Sequence, residues 1–312
     1  MKKRNNNFSR RYFLEITTAA AGLTIIPWRT ANSWTSVLQN TGKPDSNFGG
    51  VQIGAITYSW RSMPSTPADI IRYCQETGIS SIELMGDVAE KYAGIPGGKD
   101  GNEEIRKWRL SDPYTRYIEL RKMFNDAGIN IHIAKFSPAN WTEAEIDYSF
   151  KAAKALGAVG VCNEIGDDAC RKMGPIAKSN GMFAIFHNHL QPGEPGWNFE
   201  KFLDYSTANM LNFDVGHYFG ATGLHPNGII EKLHDRIVSI HLKDKTGPKD
   251  NPANTNMPWG KGTTPISDIL QLIKKNKWPI YADIELEYPV PEGSDAVAEV
   301  RICVDYCKNI LS

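Results

Sequence analysis

The chain has 312 residues, of which 41% are hydrophobic, with 35 basic and 35 acidic side chains. This length and composition predict a globular protein with a core large enough for one large domain or two small ones. Six basic residues and one acid lie in positions 1–31, which leaves 29 basic and 34 acidic residues beyond them. Such an acidic body is a poor electrostatic partner for nucleic acid, so we predict no nucleic-acid ligand.

The first 31 residues have the composition of an export signal. A basic start leads into SRRYFL and then into ITTAAAGLTIIP, an apolar stretch too short to span a bilayer. The pair Arg10 and Arg11 is similar to the twin-arginine signal, whose export machinery carries folded proteins. We predict a signal segment at 1–31 with a periplasmic destination, the alternative being a general secretory signal or an uncleaved anchor. Residues 32–50 are polar and are predicted to form a linker.

From Val51 onward, strand-like apolar runs alternate with helix-like stretches, as in α/β folds. Eight such units over 51–312 match the size of a (β/α)8 TIM barrel, about 250 residues. A doubly wound sheet is the competing fold, but the segment after the first run lacks the glycine-rich phosphate turn of that fold. The predicted strands are 51–59, 79–85, 129–136, 158–164, 182–188, 210–216, 237–243 and 280–287.

Helical patterns fill the intervals, and several open on Asp, Thr or Asn and close on Gly or Asn. Two connections, 86–112 and 246–262, are long and follow the second and seventh strands. In a barrel both lie on the active face, so we predict lids or substrate walls there. The predicted helices are 66–78, 112–128, 142–157, 167–181, 198–208, 227–235, 265–276 and 294–311.

Four successive predicted strands end on metal-ligand residue types. These strand ends meet at one face of a barrel, where two imidazoles and two carboxylates would form a mixed nitrogen and oxygen site. Such a site suits Mn, Fe, Co or Zn more than Ca. A cation there would stabilise a developing enediolate while a neighbouring carboxylate or imidazole moves a proton. The residues are His187, Asp214, His241, and Glu285 or Glu287.

Five motifs carry a resemblance to a known family. HNH at 187–189, DVGH at 214–217, IHLKD at 240–244, PWGKG at 258–262 and IELEY at 284–288 stand in the order and spacing of that family. Over 51–312 the chain resembles the sugar phosphate isomerase/epimerase family of xylose isomerase-like TIM barrels. The resemblance implies a catalytic barrel domain that binds one divalent metal ion, Mn, Co, Zn or Mg, and a small carbohydrate substrate.

The resemblance also implies roles for individual residues. Asp214, His241 and Glu285 would be metal ligands, and His217 and Lys243 would face the substrate. His187 stands where the epimerases of the family have a glutamate that both binds metal and transfers a proton. We therefore predict His187 as the fourth ligand, with His189 or Glu164 as the base. His132 is predicted to be a hydrogen-bonded core histidine.

Together these features predict an exported, metal-dependent isomerase or epimerase of a free or oxidised (keto) sugar that acts through an enediolate. Export argues against a phosphorylated substrate. A lyase or dehydratase on the same fold and metal site is the first alternative, because the initial proton abstraction is shared. A non-catalytic sugar-binding barrel is the second. An abasic-site endonuclease would need several metals and a basic groove, which the acidic body does not provide.

Overall fold

This computed structural model describes residues 42–99 and 101–312. The predicted signal segment and residues 32–41 of the predicted linker lie outside the described residues. Within the described part, no helix combines the length and the apolar character needed to cross a membrane.

Eight parallel strands form a closed barrel, which confirms the predicted (β/α)8 fold. Each strand from β2 to β9 pairs with the next, and β9 pairs with β2 to close the ring. A short additional strand, β1 (Asn47–Phe48), pairs antiparallel with β2. The barrel strands are β2 (Val51–Ile56), β3 (Ser81–Met85), β4 (Asn130–Lys135), β5 (Gly160–Glu164), β6 (Phe183–His187), β7 (Asn209–Asp214), β8 (Ile237–Leu242) and β9 (Tyr281–Ile284).

The described end of the predicted linker is part of the packed domain. Ser46 is buried, and its hydroxyl donates to the carbonyl of Ile53 at 2.6 Å. Its backbone N–H also donates to Ser80 Oγ at 3.1 Å. The packed domain therefore begins before Val51, and the polar side chains that suggested a linker hydrogen-bond the barrel's lower rim instead.

Eleven helices surround the barrel in the described residues, and three of them were not predicted. These three have seven or eight residues each: α2 and α3 lie in the predicted 86–112 connection, and α8 begins within the predicted strand 210–216. The helices are α1 (Pro67–Thr77), α2 (Gly86–Ala93), α3 (Glu103–Arg109), α4 (Tyr114–Asp126), α5 (Glu143–Leu156), α6 (Asp167–Asn180), α7 (Phe199–Leu203), α8 (Val215–Thr222), α9 (Asn227–Leu233), α10 (Ile266–Asn276) and α11 (Ala296–Leu311).

The barrel interior contains a hydrogen-bonded histidine, as predicted for His132. Its Nδ1 lies 2.9 Å from Ser81 Oγ, and its Nε2 lies 2.8 Å from Asp283 Oδ2. The ring stacks on Tyr281 with 4.0 Å between centroids. Both ring nitrogens are thus used in contacts below the barrel mouth, so His132 is a structural residue.

A buried arginine fixes the long connection after β3. Arg109, at the end of α3, forms ion pairs with Glu90 of α2 at 2.8 Å and with Glu145 of α5 at 3.2 Å. All three side chains are at least nine-tenths buried, and the guanidinium lies over the ring of Trp141 at 3.4 Å. The two short helices of this connection are therefore held in place by buried ion pairs.

Replacing Arg109 by Met should lower the free energy of unfolding by about 3–5 kcal/mol, because two buried carboxylates lose the cation that pairs with both of them. Urea unfolding followed by tryptophan fluorescence, in the presence of a chelator, measures the change. Arg116→Met is the matched control, since Arg116 and Glu119 form an ion pair with both side chains about half exposed. Its effect should stay below about 1 kcal/mol. Equal losses in the two variants would show that Arg109 does not hold the helices.

Candidate metal centre

Asp214 ends β7 and begins α8, and its two carboxylate oxygens have different partners. Oδ1 accepts the backbone N–H of His217 at 2.7 Å and so caps the helix. Oδ2 points into the barrel mouth, 3.2 Å from His187 Nε2. Gly216 allows close packing there, because a Cβ at this position would lie 2.2 Å from Cγ of Lys243. The DVGH motif therefore combines a helix start with a candidate metal ligand.

The four predicted ligands converge. One ligand atom from each of His187, Asp214, His241 and Glu285 lies within 4.8 Å of the others, and all four residues are buried. His241 Nδ1 is 2.9 Å from Glu285 Oε2, and His187 Nε2 is 4.0 Å from the same oxygen. Two imidazole nitrogens and two carboxylates, gathered in a buried pocket, fit a divalent transition metal. Their role as metal ligands remains a prediction.

Each ligand imidazole has a carboxylate at its far nitrogen. His241 Nε2 lies 2.7 Å from Glu83 Oε2, and His187 Nδ1 lies 3.1 Å from Glu164 Oε2. A carboxylate in this position fixes the tautomer and the orientation of a ligating histidine. Each ring can therefore turn a lone pair toward the centre, at Nδ1 of His241 and Nε2 of His187.

Glu83 was missed by the sequence analysis. It lies in the middle of β3 and is fully buried, so the only available signal was an acidic side chain inside the apolar run ISSIELM. Burial by itself would raise the pKa of Glu83, but the charge and hydrogen bond of His241 lower this pKa to about 2. A carboxylate kept ionised inside the barrel is a strong acceptor for an imidazole N–H.

Lys243 places its ammonium among three carboxylates. Its Nζ lies 2.8 Å from Asp214, 2.6 Å from Glu285 and 2.7 Å from Glu287. Burial would raise the pKa of Asp214 and of Glu285, yet the Lys243 charge holds both pKa values well below the usual range. The negative charge of the site is thus compensated. Glu287 lies nearer the rim than Glu285, because its side chain is 20% exposed and that of Glu285 is 7% exposed.

Asp244 follows Lys243 in sequence, but it anchors a loop instead of pairing with that lysine. The carboxylate of Asp244 accepts backbone N–H groups from Gly260 at 2.8 Å, Gly262 at 2.9 Å and Thr264 at 3.2 Å. A Cβ at Gly262 would lie 2.2 Å from Asp244 Oδ1. The GKG sequence of the 246–262 connection is therefore the cradle of this carboxylate, and it anchors the connection to the end of β8.

Two further histidines lie at the mouth, as predicted. The rings of His189 and His217 stack with centroids 5.0 Å apart and an interplanar angle of 15°. Burial lowers the pKa of His217 to about 4, so its imidazole is neutral at neutral pH. The hydrogen bond that His189 donates to the Glu164 carboxylate raises the pKa of His189. The pair thus offers one neutral imidazole and one that is more readily protonated.

Glu164 is less available as a free base than predicted. Its oxygens lie 2.5 Å from Lys135 Nζ, 2.9 Å from His189 Nε2 and 3.1 Å from His187 Nδ1. Burial acts to raise the pKa of Glu164, but these partners hold it far below the usual range. Its clearest role is to orient the two histidines. Lys135, at the end of β4, was not singled out in the sequence.

Comparison with known proteins decides the family. The model of the xylose isomerase-like TIM barrel family matches residues 45–306. This chain belongs to that family. An inosose dehydratase of Clostridium beijerinckii is 31% identical over 80 residues, which are 25% of this chain and 26% of that protein. The similarity to this relative thus spans about a quarter of its length.

Solved structures agree on the fold. A sugar phosphate isomerase/epimerase from Parabacteroides distasonis has a TM-score of 0.61 at 15% identity, with 88% of this chain and 99% of that chain covered. A zinc-bound IOLI protein has a TM-score of 0.59 at 13% identity, with 84% and 98% covered. The resemblance stated from the motifs is therefore confirmed at the level of family and fold.

Substitution of the ligands and of Glu83 separates direct from supporting roles in metal binding. Asp214→Ala should abolish the binding of one equivalent of divalent cation, because it removes a ligand. Glu83→Gln should weaken this binding about 10- to 100-fold, because His241 loses the carboxylate that orients it. Competition with a chromophoric chelator measures both affinities.

Glu299→Gln is the matched control for Glu83→Gln. Glu299 is also a buried carboxylate, but it accepts from the Tyr288 hydroxyl at 2.7 Å and belongs to α11. Its metal affinity should equal that of the wild type. A Glu83→Gln protein that binds the cation at full strength would show that His241 does not depend on Glu83, and metal retained by Asp214→Ala would place the site elsewhere.

Proposed function

We propose that this protein is a metal-dependent isomerase or epimerase that moves a proton on the carbon next to the carbonyl of a free or oxidised sugar. The observation that carries the proposal is the convergence of His187, Asp214, His241 and Glu285 at the C-terminal face of the barrel, where the active sites of this fold lie. The stacked histidines at the same mouth supply groups that transfer protons.

His187, Asp214, His241 and Glu285 would hold the cation, which would supply Lewis acidity toward adjacent sugar oxygens. We assign His217 as the base, because its imidazole is neutral and its Nε2 lies at the mouth, 3.5 Å from Glu287 Oε2. It would take the proton from the carbon beside the carbonyl. His189, held by Glu164 at 2.9 Å, would donate a proton to the substrate on the return step.

Glu164 and Lys243 prepare the site for this transfer. Glu164 contacts both His187 and His189, so the ligand and the proton donor share one carboxylate. Lys243 offsets the negative charge of Asp214 and Glu285. Because these groups are fixed by contacts within the chain, the charge that develops on the substrate meets preorganised partners.

A lyase or dehydratase is the second candidate. The similarity to the inosose dehydratase of Clostridium beijerinckii favours it, and so does His189, whose raised pKa suits protonation of a leaving hydroxyl. In addition, His187 stands where the epimerases of the family have a proton-transferring glutamate. This argues against proton transfer by a pair of glutamates. Proton abstraction by His217 is common to both candidates, and only the fate of the resulting carbanion differs.

We also propose that the protein is exported by the twin-arginine pathway, on the strength of Ser9 to Leu14 alone. Replacing both Arg10 and Arg11 by Lys should leave the protein in the cytoplasm, because that machinery reads the arginine pair. Cell fractionation with an antibody measures the distribution, and replacement of Lys2 and Lys3 by Arg is the control. Continued export of the Arg10/Arg11 variant would exclude the pathway.

Deuterium uptake tests the chemistry. In heavy water, the metal-loaded protein should exchange one carbon-bound proton of a keto sugar, and a chelator should stop the exchange. His217→Gln should slow exchange about 100-fold or more while metal content stays at the wild-type level, because only the base is lost. NMR of the products distinguishes an isomerised or epimerised sugar from an unsaturated one. Metal and sugar binding without exchange would identify a binding protein instead.

A further inference from the structure

We propose that Lys245 binds an anionic oxygen of the substrate, so that the sugar carries a carboxylate, or a phosphate group if the protein is not exported. This inference rests on the proposed function and specifies its substrate class. Lys245 lies two residues beyond Lys243, where β8 passes into the 246–262 connection, so the anion subsite would adjoin the metal centre.

The backbone of Lys245 is fixed on both sides. Its N–H donates to Thr264 Oγ1 at 2.9 Å, and its carbonyl accepts the N–H of Thr263 at 2.8 Å. It also forms an antiparallel bridge with Asn256 across the connection. The residue is 4% exposed. Lys245 is therefore a buried residue with a fixed backbone in the wall of the barrel mouth, not a surface lysine.

The side chain of Lys245 has no hydrogen bond or ion pair within 42–99 and 101–312. The other two lysines of the mouth differ, because Lys243 contacts three carboxylates and Lys135 contacts Glu164. The residue is largely enclosed, and a charge that is largely removed from water without a counterion is costly. Burial and the charge of Lys243 lower the pKa of Lys245, as expected for a cation that lacks a direct counterion. An anionic group of a ligand would offset this cost.

Other unpartnered polar atoms lie around Lys245. The Oδ1 atoms of Asn254 and Asn256 are buried without hydrogen-bond partners in the described part of the chain. A Cβ at Gly220 would lie 2.9 Å from Lys245 Cε and 2.2 Å from Asn254 Oδ1, so both side chains lie over this glycine. The ammonium, unlike these enclosed amide oxygens, is the group here that suits an anion.

The charges of the neighbouring groups favour an anion over a further hydroxyl at Lys245. Glu287 is the carboxylate at the rim, and it already lies 2.7 Å from Lys243 Nζ and 3.5 Å from His217 Nε2. Lys245 is thus left with its charge uncompensated by direct contact. Carboxylate and phosphate oxygens both form charge-assisted hydrogen bonds with lysine. The contacts at Lys245 therefore favour an anionic group, and a binding experiment distinguishes a carboxylate from a phosphate.

Calorimetric titration of the metal-loaded, full-length protein tests the proposal with D-glucuronate, D-glucose 6-phosphate and D-glucose at equal ionic strength. At least one anionic sugar should bind about tenfold or more tightly than glucose, because a charge-assisted hydrogen bond is gained. Lys245→Gln should remove this preference and leave glucose affinity and metal content unchanged. Lys245→Arg should retain part of it. The anionic sugar that binds more tightly shows whether the group bound by Lys245 is a carboxylate or a phosphate.

Lys249→Gln is the matched control, because Lys249 is an exposed lysine of the same connection and its loss changes the net charge equally. It should keep the anion preference. The proposal is overturned if the wild type binds neutral and anionic sugars equally, if it binds none of the three, or if Lys245→Gln keeps the preference. Deuterium exchange that proceeds with neutral sugars and ignores Lys245→Gln would leave the proposed function standing without the subsite. Lys245-dependent anion binding without deuterium exchange would support the subsite and contradict the proposed function.

Discussion

The two-sided carboxylate of Asp214 is the constraint on which the barrel mouth depends. One oxygen caps α8 through the backbone of His217, while the other faces His187 and Lys243. The backbone N–H of Asp214 in turn donates to Asn188 Oδ1 at 3.0 Å, which ties β7 to the end of β6. Because the same residue ends a strand, starts a helix and turns a carboxylate oxygen into the mouth, the positions of His187, His217 and Lys243 follow from one local geometry.

The mouth concentrates charge in a buried space, and its contacts show how this charge is compensated. Lys243 offsets the carboxylates that face the centre, Glu83 accepts from His241, and Glu164 joins Lys135 to two histidines. A buried charge is tolerated when it is both paired and hydrogen-bonded. The outer carboxylates also hold the imidazoles in orientation, so the contacts that make the site stable are the same contacts that preorganise it.

The sequence was sufficient for the fold and for the inward ligands, since both follow from where apolar runs stop. His187 and Asp214 end strands, and His241 and Glu285 lie beside the ends of theirs, so their convergence follows from barrel topology. Glu83 could not be found this way, because it lies inside a strand and its importance comes from His241, which is distant in sequence. The partners of Lys243 and the tautomers of the histidines likewise depend on tertiary contacts.

In the segment IHLKDK, neighbouring residues at the end of one strand have different roles in the site. His241 faces the centre, and Lys243 reaches its carboxylates. Asp244 instead anchors the 246–262 connection through three backbone N–H groups, and this anchoring sets the backbone against which Lys245 is held. The candidate metal ligand, the compensating charge, the loop anchor and the unpaired ammonium are thus close together in sequence. The wall of the mouth and its chemistry therefore cannot vary independently, because any shift of the connection would also move Lys245 relative to the centre.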